Sequence, residues 1–173
     1  MGSEHCQSEN AFRPHNRVSV HPYEEYHSKY GSCRPVREFE IAGKGDISLI
    51  RREVDRFFAD RLAFWSEVRL PILITLSEAV TNVVKFTPGG KLMIFAGEAG
   101  PCFHIIDHGG GLDLDVLLCI ISGKRFSTYS SLGMGFPIMV RFAEEVTVYT
   151  SEQGTILVLQ FDLDRIVKEN SAV

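Results

Sequence analysis

The sequence predicts an α/β two-layer sandwich, a mixed β-sheet with helices packed on one face. Three observations predict it. One short run alternates apolar and polar residues and others are short apolar runs bounded by turn residues, both signatures of strands. Two longer stretches repeat apolar residues at three- and four-residue steps, the signature of amphipathic helices. Gly and Pro punctuate the joints, giving strand, helix, helix, hairpin, a glycine- and serine-punctuated segment, helix and hairpin in that order.

The elements follow from Val36 onward. Val36–Ile41 alternates and reads as a first strand closed by Gly43. Asp46 is placed as the N-cap of a helix that repeats Ile47, Ile50, Val54, Phe57, Phe58 and Leu62, with Arg51, Arg52, Arg56 and Arg61 outward. Pro71 suits the first turn of a second helix running to about Phe86, and Pro88-Gly89-Gly90 ends it. Lys91–Glu98 and Pro101–Asp107 form a hairpin around Ala99-Gly100. Glycines and serines then punctuate residues 108–132 around one apolar stretch, Val116–Ile121. A third helix is expected from Phe136-Pro137 to Glu145, and a last hairpin from Glu145–Ser151 and Thr155–Asp162.

The bulk numbers suit one domain. At 173 residues the chain can bury a full core, and 45% hydrophobic with 23% charged residues is ordinary for a globular protein. A net charge of -4 advertises neither nucleic acid nor an anionic membrane. Four cysteines form no C-x-x-C, which fits reduced thiols in a cytoplasmic protein. No apolar run has membrane-spanning length, and the start resembles no signal peptide. Residues 1–35 read as a polar N-terminal arm, flexible or lying on the surface, residues 36–165 as the domain and 166–173 as a C-terminal tail. Four of six histidines (positions 5, 15, 21 and 27) fall in the arm, at no zinc-site spacing. Tyr23, Tyr26 and Tyr30 give it a means of docking onto the body or a partner.

Four segments carry chemistry. In Ser77-Glu78-Ala79-Val80-Thr81-Asn82, Leu73, Leu76, Ala79, Val80, Val83 and Val84 share one helical arc, and Thr75, Glu78, Asn82 and Lys85 the opposite one. An amide oxygen and a carboxylate one turn apart can hold a hard cation and accept a proton, although a solvated helix face shows the same spacing. Asp107 ends an apolar strand before Gly109, Gly110 and Gly111. Its carboxylate can accept from an exocyclic amine while the glycines let the chain pass close to a flat base; an Asx turn is the plain alternative. Ser131-Leu132-Gly133-Met134-Gly135-Phe136 precedes the third helix, and backbone N–H groups at such a glycine-bearing helix entry suit phosphate. It fits neither a P-loop nor a Rossmann fingerprint. Gly154-Thr155 in the last hairpin gains weight only beside the others.

In order and context these segments resemble the Bergerat-fold (GHKL, histidine-kinase-like) ATPases. Glu78–Asn82 matches the N-box, Asp107-x-Gly109-x-Gly111 the G1-box, Gly133-x-Gly135 the G2-box and Gly154-Thr155 the closing pair. Within that superfamily the wording is most similar to the anti-sigma-factor serine/threonine kinases of the SpoIIAB, RsbW and RsbT group, over roughly residues 36–163. The resemblance implies ATP and Mg²⁺ as cofactors. It makes Glu78 the catalytic base, and Asn82 the metal ligand. Lys85, Asp107, Gly109, Gly111, Ser131, Gly133, Met134, Gly135 and Thr155 join Asn82 as cofactor-binding residues. Residues 112–132 become a lid that brings Lys124 and Arg125 near the phosphates. It implies phosphorylation of a small anti-anti-sigma (STAS-type) antagonist, with a sigma factor and a second copy as further partners and no direct nucleic-acid or membrane contact. The alternative is a non-catalytic nucleotide-binding switch module. Two departures are visible: Val83-Val84-Lys85-Phe86 replaces the histidine-glycine ending common in that group, and the lid is short.

Overall fold

Six strands form one sheet in the order β1-β5-β6-β4-β3-β2 in the computed structural model, which describes residues 17–115, 117 and 132–172. In chain order the elements are β1 (Arg17–Pro22), α1 (Glu25–Tyr30), β2 (Arg37–Ile41), α2 (Lys44–Ala59), α3 (Trp65–Phe86), β3 (Gly90–Ala96), β4 (Pro101–Asp107), α4 (Leu132–Phe142), β5 (Glu145–Ser151), β6 (Gly154–Gln160) and α5 (Leu163–Ser171). Every pairing is antiparallel except β1 with β5, so the sheet is mixed, as expected.

Strand alternation divides the core. Phe103 and Ile105 of β4, with Leu92, Ile94, Val146, Val148 and Leu159 from β3, β5 and β6, pack against α2, α3, α4 and α5. The intervening residues Cys102, Tyr149, Ile156 and Val158 turn to the other face, where Tyr26 of the short α1 lies over them. There the Tyr26 hydroxyl hydrogen-bonds Nδ1 of His104, 2.8 Å away, and Tyr30 meets His104 edge-on. Burial holds the His104 pKa down, to about 4, with Lys29 adding to the effect. Cys102 is a buried free thiol pushed up to about 12 by burial, and Cys33 is a free thiol on the surface.

Several elements depart from the sequence reading. The arm assigned to residues 1–35 contains β1 and α1 from Arg17 onward. Local pattern did not reveal them because β1 is held by pairing with β5, about 128 residues away in sequence, and α1 by the docking of its tyrosines. Helix α3 begins at Trp65, so Pro71 is internal. Its ring removes the N–H that would satisfy the Glu67 carbonyl, and the Asn170 side-chain amide donates there instead at 2.7 Å. Thr75, expected on the outer arc, is fully buried and donates its hydroxyl to the Pro71 carbonyl at 2.7 Å. Asp46 is not the N-cap but sits one turn inside α2. Its carboxylate accepts the Ala42 and Gly43 N–H groups at 2.8 Å, and these bonds lower its pKa. The third helix spans 132–142 rather than 136–145. The expected C-terminal tail is mostly helix α5, which Asp162 caps by accepting the Arg165 N–H at 3.1 Å and which buries Leu163 and Ile166.

Candidate functional site

The end of β4, the start of β6 and the adjoining turns of α3 and α4 converge on one cavity. Asp107 sits at its floor. Its Oδ1 accepts the Gly109 N–H at 2.8 Å and the Thr155 N–H at 3.3 Å, which fixes the carboxylate across the β4–β6 pair. Burial raises its pKa, opposed by the bonds from Gly109 and Thr155. The paired strands are brought this close by Gly154, at φ +140°, where a Cβ would run into the Asp107 carbonyl oxygen. Gly111, at φ +83°, lies where a Cβ would strike the Ser151 carbonyl oxygen. Leu112 N–H then donates to Thr150 Oγ1 at 2.8 Å, turning the chain back over the cavity.

The cavity measures about 140 Å³ and is lined by Asn82, Val83, Phe86, Thr87, Asp107, Gly109, Gly111, Leu112, Phe136, Met139 and Thr155, among others. Its size is near the ~150 Å³ of an apolar cavity known to admit benzene, so a flat ring fits its scale. Its walls are largely apolar, and Asp107 supplies a polar acceptor at the floor. That combination suits a heteroaromatic base with an exocyclic donor.

A second convergence lies beside it. Helix α4 approaches α3 at Gly135, where a Cβ would stand 3.0 Å from Glu78 Oε2 and 3.6 Å from Asn82 Nδ2. Gly135 therefore lets the first turn of α4 reach the two side chains that the sequence puts on one helical face. Gly133 and Met134 are in that same turn, where helix N–H groups have no intrahelical acceptor. These glycines thus open the helix from inside its first turn instead of preceding it.

The predicted residues divide accordingly. Asn82, Asp107, Gly109, Gly111 and Thr155 line the cavity, and Glu78 with Gly135 adjoins it through Asn82. Lys85 is exposed in the last turn of α3 and is not part of the lining. Ser131, Lys124 and Arg125 lie outside the described residues. The sequence reading missed Thr87 and Thr150. Thr87 Oγ1 donates to the Val83 carbonyl at 2.9 Å, and its methyl carbon would lie 2.9 Å from a Cβ at Gly109. A threonine just after the helix, before Pro88, was a readable C-terminal signal; Thr150 carried none. Among the described residues no three His, Cys, Asp or Glu side chains cluster as a metal site, and no helix is long and apolar enough to cross a membrane.

Comparison with known proteins decides the family. Residues 67–165, more than half the chain, match the family described as histidine kinase-, DNA gyrase B- and HSP90-like ATPases. The chain belongs to this ATPase family. The match begins in α3 and ends in α5, so it takes in every described element of the cavity. No curated protein matches the sequence. Among solved structures, the fold is similar to a chain in the crystal structure of the SiaB–SiaC complex from Pseudomonas aeruginosa. The TM-score is 0.55 and the identity 12%, over 79% of this chain and 95% of that one. The likeness is one of fold.

Proposed function

We propose that this chain is an ATP-dependent serine/threonine protein kinase and anti-sigma regulatory factor of a partner-switching system, acting on a hydroxyl of a small STAS-type antagonist protein. The observation that carries the reading is the approach of Gly135 to Glu78 and Asn82 beside a base-sized cavity floored by Asp107.

The residues fit the nucleotide. Asp107, oriented by the Gly109 and Thr155 amides, would accept from the adenine amino group. Gly135 leaves room beside Glu78 and Asn82 that a Cβ would fill, and the first-turn N–H groups of α4 would face phosphate. Mg²⁺, when bound, would neutralise phosphate charge, and the Asn82 side-chain oxygen is the ligand available for it. Glu78 would accept the proton of the substrate hydroxyl at its carboxylate, one helical turn from Asn82. In phosphoryl transfer a protein chiefly positions groups and compensates charge, and these residues would supply both. The structural likeness to a chain solved in a two-protein complex supports a protein partner.

The second reading, a nucleotide-dependent switch without transfer, is favoured by Val83-Val84-Lys85-Phe86 and by the exposed position of Lys85. Transfer of labelled γ-phosphate from ATP to STAS-type antagonists separates the two. The kinase reading predicts transfer by the wild type and none by Glu78→Gln, which should still bind ATP. Transfer retained in Glu78→Gln removes Glu78 from the base role, and wild-type binding without transfer to any antagonist favours the switch.

A further inference from the structure

A groove of about 790 Å³ opens at the other end of the sheet. Pro101 and Asp107 bound β4, so the groove stands six residues, ~20 Å, from the nucleotide cavity. Its walls are apolar and rich in aromatics, among them Phe57, Leu62, Phe64, Phe95, Pro101 and Leu163. Among the described lining residues the charged groups are mostly acidic, with Glu98, Asp162 and Asp164 against the single cation Arg61. That cation is already engaged: Arg61 Nη1 donates to the Phe57 carbonyl at 2.8 Å and its guanidinium lies 3.9 Å from the Phe57 ring centroid. Such a groove fits an apolar side chain followed by a basic one.

The chain carries that pair just before its first strand. Ala11-Phe12-Arg13-Pro14 holds the only aromatic residue in positions 1–16, with an arginine next to it. The register brings it to the right end of the sheet. Arg17 pairs with Glu145, Glu145 with Gln160, and Gln160 with Cys102, so β1 starts level with the groove-side end of β4. Three strand intervals are ~14 Å. Five extended residues from Arg17 back to Phe12 span ~17 Å. We propose that residues 11–14 dock in this groove of their own chain, Phe12 against its aromatic wall and Arg13 on the carboxylates of Glu98, Asp162 and Asp164.

Hydrogen exchange of the full chain tests this, read at Arg61–Phe64 and Gly97–Gly100. Phe12→Ser and Arg13→Glu should each raise exchange there by about threefold or more, leaving the Asp107–Gly111 amides unchanged. Asp164→Arg should have the same effect, and Arg13→Glu combined with Asp164→Arg should return the wild-type rates. Unchanged exchange in Phe12→Ser overturns the proposal, as does a charge swap that fails to restore protection. Protection that grows with protein concentration places the segment of a second copy in the groove and overturns the intramolecular dock.

Discussion

The Thr155 N–H donates to the Asp107 carboxylate across neighbouring strands, at 3.3 Å, and so ties the last hairpin to the cavity floor. The weakest sequence signal, Gly154-Thr155, therefore has a defined task. Its glycine permits the approach of β6 to the end of β4, and its threonine amide orients the acid.

The Asp107 carboxyl lies in a buried setting, and the direction of its pKa shift gives a pH signature. Burial raises the folded-state pKa, so the fold favours the neutral carboxyl. That contribution is complete below the ordinary value of 3.8 and is lost as pH rises through the folded value. Asp107→Asn should therefore melt at or above the wild-type temperature at pH 7 without ligand, with the difference closing below pH ~4, while nucleotide affinity falls ~10–100-fold. Thermal melts across pH beside a binding titration check both halves.

Gly135→Ala separates packing from function. Alanine gains up to ~1 kcal/mol of helix propensity, offset by the 3.0 Å contact its Cβ would make with Glu78 Oε2. Stability should stay within ~1 kcal/mol of wild type, a change of ~2–4 °C in melting temperature. Phosphotransfer should fall ~10–100-fold with adenosine binding preserved, because the displaced group is the carboxylate and not the base pocket. Equal losses in adenosine binding and transfer would count against the assignment of Glu78.

The fold and the site were legible to different depths. The N-box helix, the β3–β4 and β5–β6 hairpins and Asp107 with its glycines were readable because each depends on local periodicity or on a backbone conformation that glycine favours. Strand β1 and helix α1 were not, because Val18 and Tyr26 are stabilised by partners more than 75 residues away. The start of α3 was hidden by Pro71, whose usual place at a first turn is overridden here by a distant asparagine amide. The apolar cavity walls, Phe136 and Met139 with Val148 and Leu157, were not legible as cavity lining, since sequence periodicity does not distinguish a residue packed against protein from one that faces a cavity.

The Asn170–Glu67 bond should be conditional on Pro71. Asn170→Ala should cost ~1 kcal/mol, or ~2–4 °C, by leaving the Glu67 carbonyl without its donor. In a Pro71→Ala background the restored helix N–H takes that carbonyl, so the same substitution should cost close to nothing. A double-mutant cycle by thermal or urea unfolding reads the coupling directly.

His104 gives the fold an acid limit of its own. Its pKa is depressed to about 4 by burial, against 6.5 when unperturbed. The stability linked to its neutral form is present above pH ~6.5 and is lost as pH falls toward ~4, on the order of 3 kcal/mol across the window. His104→Gln should flatten the urea midpoint between those pH values. Tyr26→Phe should lower stability by ~1–2 kcal/mol at pH 7 by removing the partner of Nδ1.

Calorimetric titration of ATP in the presence and absence of Mg²⁺, for wild type, Asp107→Asn and Asn82→Ala, decides whether the cavity is a nucleotide site. Binding should be micromolar and strengthened by Mg²⁺, on the order of -8 kcal/mol, weakening in Asp107→Asn and losing most of its metal dependence in Asn82→Ala. Folded wild-type protein that binds no ATP, or binding indifferent to both substitutions, would contradict that assignment.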